Sequence, residues 1–266
     1  MKTAFLFELR RDRGLIVAIT AMAVVYAGVM AWFWPIMRDN TALIEQYMNV
    51  FPPGLMAAFG MEGSLADPGV FYTTYIGSML WPVLAALVGI LLATRPVAVD
   101  LERGFLELPI TTALSRGRYL GAVIAAQACA LAVLAFATVL SFWVAATIAG
   151  APYEFARVIV LAMLAWAFAC AICASAAILS VVTLSRAVAG GIVAAALLGM
   201  YLLNVVAQMT PDLGGLADLS VFHYLRTTPL IDRGDLPVVE LSLFALISVV
   251  GWGLAVWAFR RRNLAP

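Results

Sequence analysis

The residues able to do chemistry are sparse and fall in few places. The densest run is Asp100–Gly121, DLERGFLELPITTALSRGRYLG, which lies between two of the most apolar stretches of the chain. It carries Glu102, Arg103, Glu107, Arg116 and Arg118, with Gly104 between the two glutamates. Pro109 stops any continuous helix there. Leu106, Leu108 and Ile110 add apolar surface that a merely solvated loop would waste in water. Such a mixture suits docking. Apolar side chains anchor a short amphipathic helix in a groove of a soluble partner, and flanking charges such as Glu102, Glu107 and Arg116 set its register.

Other chemistries find little material. His223 is the only histidine, which argues against a histidine-based zinc site. The chain has no HExxH, no GxSxG and no Walker A loop, so it does not hold ATP in the P-loop manner by itself. Cys170 and Cys173 form a CxxC, but within AFACAICASAA they read as small apolar packing residues. The polar residues inside apolar runs are Gln127, Ser141, Ser175, Asn204 and Gln208, with Glu240 at the start of the last run. Uncharged polar groups in a membrane commonly join helices. Asn204 and Gln208, one helical turn apart, share a face and are the candidates for a cargo path. No intramembrane set of acids suggests a proton or ion relay, so energy for any transport is expected from outside the spans.

The elements that must position these residues are membrane spans. The 266 residues are 64% hydrophobic and 12% charged, with a mean hydropathy of +1.01. Soluble domains run about half apolar and about a quarter charged. There is too little polar surface here to cover a water-soluble globule. Six charge-free runs predict spans at about 14–34, 70–94, 119–149, 158–185, 187–211 and 239–259 in one domain covering 1–266. Each is long enough for a bilayer core of about 30 Å. Their Ala- and Leu-rich character favours helices over alternating strands. The uncharged run after Arg13 is longer than a signal-peptide core and reads as a span. Net charge of +1 provides no basic field for nucleic acid.

Six spans place both ends of the chain on one side. Sorting Lys and Arg by loop puts twelve on that side and four on the other. The positive-inside rule then makes the termini and the Asp100–Gly121 run cytoplasmic. Trp32, Trp34, Trp81, Trp252 and Trp257 fall near span ends and are expected as interfacial anchors. The LSRAV link predicts that spans four and five form an antiparallel hairpin, and Ala165, Ala169, Cys173 and Ala177 form a small-residue stripe for close helix approach. The outer stretches 35–69 and 210–237 mix apolar residues with Gly and Pro and read as short helices or re-entrant pieces.

The run VDLERGFLELPITTALSRGRYLGA resembles the cytoplasmic segment of ABC-2-type ABC transporter permeases, the type V exporter fold. Glu102, Arg103, Gly104, Leu106, Glu107, Ser115 and Arg116 carry the likeness, with Pro109 in the turn. FELRRDRG is similar to that family's amphipathic elbow helix, and FRRRNL to its common ending. The chain departs from the pattern at Ala113-Leu114, where a proline is common, and at Gly121-Ala122, where a lysine is common. The resemblance implies an all-α integral membrane fold with an N-terminal elbow and a cytoplasmic coupling helix. It implies an exporter subunit in the cytoplasmic membrane, paired with a second permease copy and with cytoplasmic ABC ATPase subunits that supply ATP and Mg, this chain holding no cofactor. Arg10, Arg11 and Arg13 would then lie along the headgroups. The alternative expectation is a non-transporting anchor or regulatory subunit of a membrane complex.

Overall fold

The computed structural model describes residues 2–48, 50, 56, 61, 64–65, 67–96, 116–151, 153–225, 227, 230–231 and 234–261. Every regular element among them is helical: α1 Lys2–Asp39, α2 Thr41–Met48, α3 Pro68–Thr73, a π-helical stretch Thr74–Leu80, α4 Trp81–Thr94, α5 Arg116–Ile148, α6 Phe155–Thr183, α7 Arg186–Met209, a 3-10 helix Pro211–Leu219 and α8 Val238–Arg261. Among the described residues, six helical segments are long and apolar enough to cross a membrane, the second being the continuous Pro68–Thr94. The chain is a multi-pass membrane protein. Backbone groups in lipid must be satisfied within the segment, and the helix does this.

The first span is longer than expected. α1 runs unbroken for 38 residues, about 57 Å at 1.5 Å per residue, against a core of about 30 Å. The arginines at positions 10, 11 and 13 therefore sit on the same helix as the span and not on a separately bounded elbow. The helix also continues through Pro35, the expected start of the outer stretch. Trp34 anchors that turn, buried with its ring 5.1 Å from Phe71.

The second span begins by capping. Asp67 accepts hydrogen bonds from Gly69 N at 2.6 Å and Val70 N at 3.3 Å, and Pro68 opens the helix. Six residues later the ladder widens into the π stretch.

α6 is the hub, packing against α4, α5, α7 and α8, while α1 packs chiefly on α5. Its stripe of Ala165, Ala169, Cys173 and Ala177 is buried. A Cβ on Gly89 of α4 would lie 3.3 Å from Cys173 N and 3.6 Å from Ala169 O, and one on Gly251 of α8 would lie 3.0 Å from Ala174 Cβ. Small side chains thus let two helices approach the α6 backbone. Indole N–H groups add ties: Trp81 Nε1 donates to Ala165 O at 3.0 Å, and Trp166 Nε1 to Ala128 O at 2.9 Å.

Not all the tryptophans meet the interface. Trp32 and Trp257 are exposed, whereas Trp34 and Trp81 are core residues. The reason for Trp81 is its donated bond. Facing lipid, that N–H would have no acceptor.

α6 and α7 form the expected hairpin. α6 ends at Leu184, whose φ of 54° is left-handed, and Ser185 caps α7 by accepting from Val188 N at 3.5 Å. The stretch after α7 folds back on the bundle. Ser220 Oγ donates to Met200 O at 2.8 Å, and the Phe222 ring lies 5.8 Å from Phe168 and 5.6 Å from Tyr201. Farther on, Thr227 seats against the π stretch, where a Cβ on Gly77 would fall 2.3 Å from Thr227 Oγ1.

Candidate functional site

The N-terminal turns of α1 and the last turn of α8 each reach the start of α5. A Cβ on Gly117 would lie 3.2 Å from Arg260 Cδ of α8. Tyr119 OH donates to Glu8 Oε1 of α1 at 3.5 Å. Arg95, capping α4, pairs with Asp12 of α1 at 2.5 Å. α4 ends at this face near Arg95 and α5 begins there at Arg116.

Glu8, Arg11, Asp12, Arg95 and Tyr119 therefore form a polar cluster where α1, α4 and α5 converge. Glu8 is 2% exposed and Asp12 5% exposed. Burying carboxylates is costly unless they are paired and hydrogen-bonded. Arg11 answers Glu8 at 2.5 Å one turn along the helix, and Arg95 answers Asp12 from another helix. The first pair steadies α1 locally, and the second fixes α1 to the end of α4.

The expected site residues divide as follows. Glu102, Arg103, Gly104, Leu106, Glu107, Pro109 and Ser115 lie outside the described residues. Arg116 is the first residue of α5. Arg10 and Arg13 are exposed, as headgroup contacts require. Arg11 departs from that expectation. It turns toward Glu8, with its guanidinium 5.9 Å from the Phe7 ring. The cause is helical phase, since Glu8 lies three residues back on the neighbouring row.

Sequence reasoning passed over Glu8, Asp12, Arg95 and Tyr119. A signal for the acids was present. The buried positions of α1 are Glu8, Asp12, Ile16, Ile19, Ala23, Ala27 and Trp34. Their spacing of three and four carries the core-facing stripe two turns into the charged N-terminal stretch. Arg95 and Tyr119 had no comparable pattern.

Within the membrane, Gln127 of α5 joins three helices. Its Nε2 donates to Leu92 O of α4 at 2.7 Å, and its Oε1 lies 3.6 Å from Cys173 Sγ of α6. The α-helical donor to Leu92 would be residue 96, which is Pro96 and has no N–H. Gln127 supplies the missing bond. Cys170 and Cys173 are both free and buried, packed as small side chains.

An apolar cleft of about 140 Å³ lies between α6, α7 and α8, and its walls include Phe168, Ile172, Ser175, Val193, Met200 and Phe244. The two residues expected on a cargo path are elsewhere. Asn204 is buried with no partner for Oδ1 among the described residues, Gln208 is half-buried, and neither lines this cleft. They lie past Met200, toward the end of α7 that the 3-10 helix packs against. His223 lies in the stretch after α7, 3.4 Å from Asp218.

Comparison with known protein families finds no matching family, and comparison with curated proteins finds no matching relative.

Proposed function

We propose that this chain is the membrane-spanning subunit of an ATP-driven exporter of the ABC-2 permease type. Its cargo is hydrophobic or amphipathic, and it works in the cytoplasmic membrane with both termini cytoplasmic. ATP and Mg belong to separate ATPase subunits that dock on the 100–118 segment, and a second permease copy completes the pathway. The observation that carries the reading is the Asp12–Arg95 pair beside the point where that segment leaves α4. A push on the segment from a closing ATPase dimer would act directly on the ends of α4 and α5. The ion pair would pass it to α1, so three spans would move as a unit. The resemblance of Glu102–Arg116 to the family's cytoplasmic segment supports the same reading, as does the lack of an intramembrane acid relay that would power transport otherwise.

The test is co-purification from native membranes with identification of bound partners and assay of their ATPase activity. The wild type should bring down an ATPase, and Glu107→Ala and Arg116→Ala should lose it or uncouple its activity. If no ATPase associates with the wild type under mild extraction, the exporter reading fails. If an ATPase associates and turns over with no cargo movement in vesicles, the chain is an anchoring or regulatory subunit instead.

A further inference from the structure

We infer that the cleft between α6, α7 and α8 is a binding site for one acyl chain of a bilayer lipid, entered sideways from the membrane. The inference does not rest on the exporter reading, since a chain can occupy the site whether or not it is cargo.

The geometry begins with how the helices pack. α7 and α8 each pack on α6 but hardly on one another. They leave a slot between them, floored by Phe168, Ala171, Ile172 and Ser175 of α6. Val221, from the stretch that folds back after α7, also lines the slot. Beside it, the Phe222 ring meets Phe168 edge-on, with centroids 5.8 Å apart. Toward the bilayer the slot is open. Ile192 and Ala196 line it and are themselves exposed. α7 and α8 are also among the least buried of the six spans, at 22% and 17% of their apolar windows, so their free faces look into lipid.

Chemistry then selects the occupant. Water in a cavity needs two to four polar partners. The only side-chain hydroxyl among the described lining residues, Ser175 Oγ, is already 2.8 Å from Ala171 O, to which it donates. A headgroup would find no charge to meet. The cleft of about 140 Å³ is close to roughly 150 Å³, a size at which apolar cavities in proteins stay dry and accept a small hydrocarbon. Left empty, the lining would forfeit dispersion contacts on one side. A chain end restores those contacts, and it leaves lipid for an equally apolar wall, so entry carries no desolvation cost.

The experiment uses the full chain in phosphatidylcholine nanodiscs containing a lipid with a diazirine near the end of one acyl chain. Photolysis, digestion and mass spectrometry locate the adducts. Cleft adducts are expected on the enclosed Val193, Phe244 and Ile247, in addition to adducts on exposed lipid-facing positions such as Ile192 and Val249. Ala171→Leu, which fills the floor, and Ala196→Phe, which blocks the mouth, should each lose the cleft adducts while Val249 labelling persists. Persistent Val249 labelling also reports that the variant is folded in the bilayer. The proposal is overturned if the cleft is unlabelled in wild type while Val249 is labelled, or if both variants keep the cleft adducts. It is also overturned if a second copy fills the slot, seen as cross-links between copies at Ala196→Cys with no lipid adduct.

Discussion

Arg95 at the end of α4 and Asp12 in the third turn of α1 form an ion pair 83 residues apart in sequence, in which the acid side chain is 7% exposed and the arginine 37%. The asymmetry has a consequence. Removing Arg95 strands a buried carboxylate, whereas removing Asp12 leaves a guanidinium that can turn to water.

Arg95→Ala should therefore destabilise more than Asp12→Ala. The first is expected to cost about 2–3 kcal/mol, below the full penalty for a wholly buried pair because Arg95 is partly solvated. The second is expected to cost about 1 kcal/mol. Thermal unfolding in detergent measures both, and the double variant should be less than additive. A larger loss for Asp12→Ala would mean that the pair does not hold the carboxylate in place.

Gln127→Leu should remove the side-chain donor to the Leu92 carbonyl, to which Pro96 offers no N–H. The cost expected is about 1 kcal/mol, at the lower end for an orphaned buried acceptor since membrane hydrogen bonds are modest. Gln127→Asn, whose amide is one methylene shorter and falls short of Leu92, should lose as much. Unfolding of the purified variants decides it, and an unchanged midpoint for both would remove Gln127 from the helix contacts.

Gly77→Ala should clash with Thr227, whose Oγ1, Cγ2 and Cβ would lie 2.3, 2.6 and 2.8 Å from the new methyl. Overpacking of this kind costs about 1–3 kcal/mol. Thr227→Gly in the same chain should recover most of the loss, because it removes all three atoms. Failure of that rescue would show that Gly77 is required by the π-helical backbone and not by the seat of Thr227.

Topology can be read with single cysteines in a background lacking Cys129, Cys170 and Cys173. A membrane-impermeant maleimide added outside intact cells should label Asp212→Cys and spare Arg118→Cys until the cells are opened. The reverse pattern would invert the proposed orientation and place the 97–115 segment out of reach of a cytoplasmic ATPase.

Of the polar cluster, only the helical phase that turns Glu8 and Asp12 inward was legible from local pattern, and the misses share one cause, a partner set by packing. Arg10 and Arg13 are exposed on α1. Arg11, between them, was grouped by charge, yet helical phase turns it toward Glu8. Trp81 was placed by its distance from a span end, but its indole found an acceptor on α6. Asn204 and Gln208 were placed by polarity, while the cleft formed on the other part of α7.

What the sequence by itself determined is the set of spans and their close contacts. Six long apolar runs must be helices, because each backbone group in lipid is satisfied within its own segment. A link as short as LSRAV must make the fourth and fifth spans a hairpin, and a stripe of small residues must admit neighbouring helices. These follow from local composition and period alone. The tertiary structure decided which charges turn inward, which tryptophans are core, where the Leu92 carbonyl finds the donor that Pro96 lacks and where a cleft opens. Each depends on a partner distant in sequence: Asp12 on Arg95, Trp81 on Ala165, Leu92 on Gln127, and the cleft on α7 and α8 packing against α6 without closing on each other.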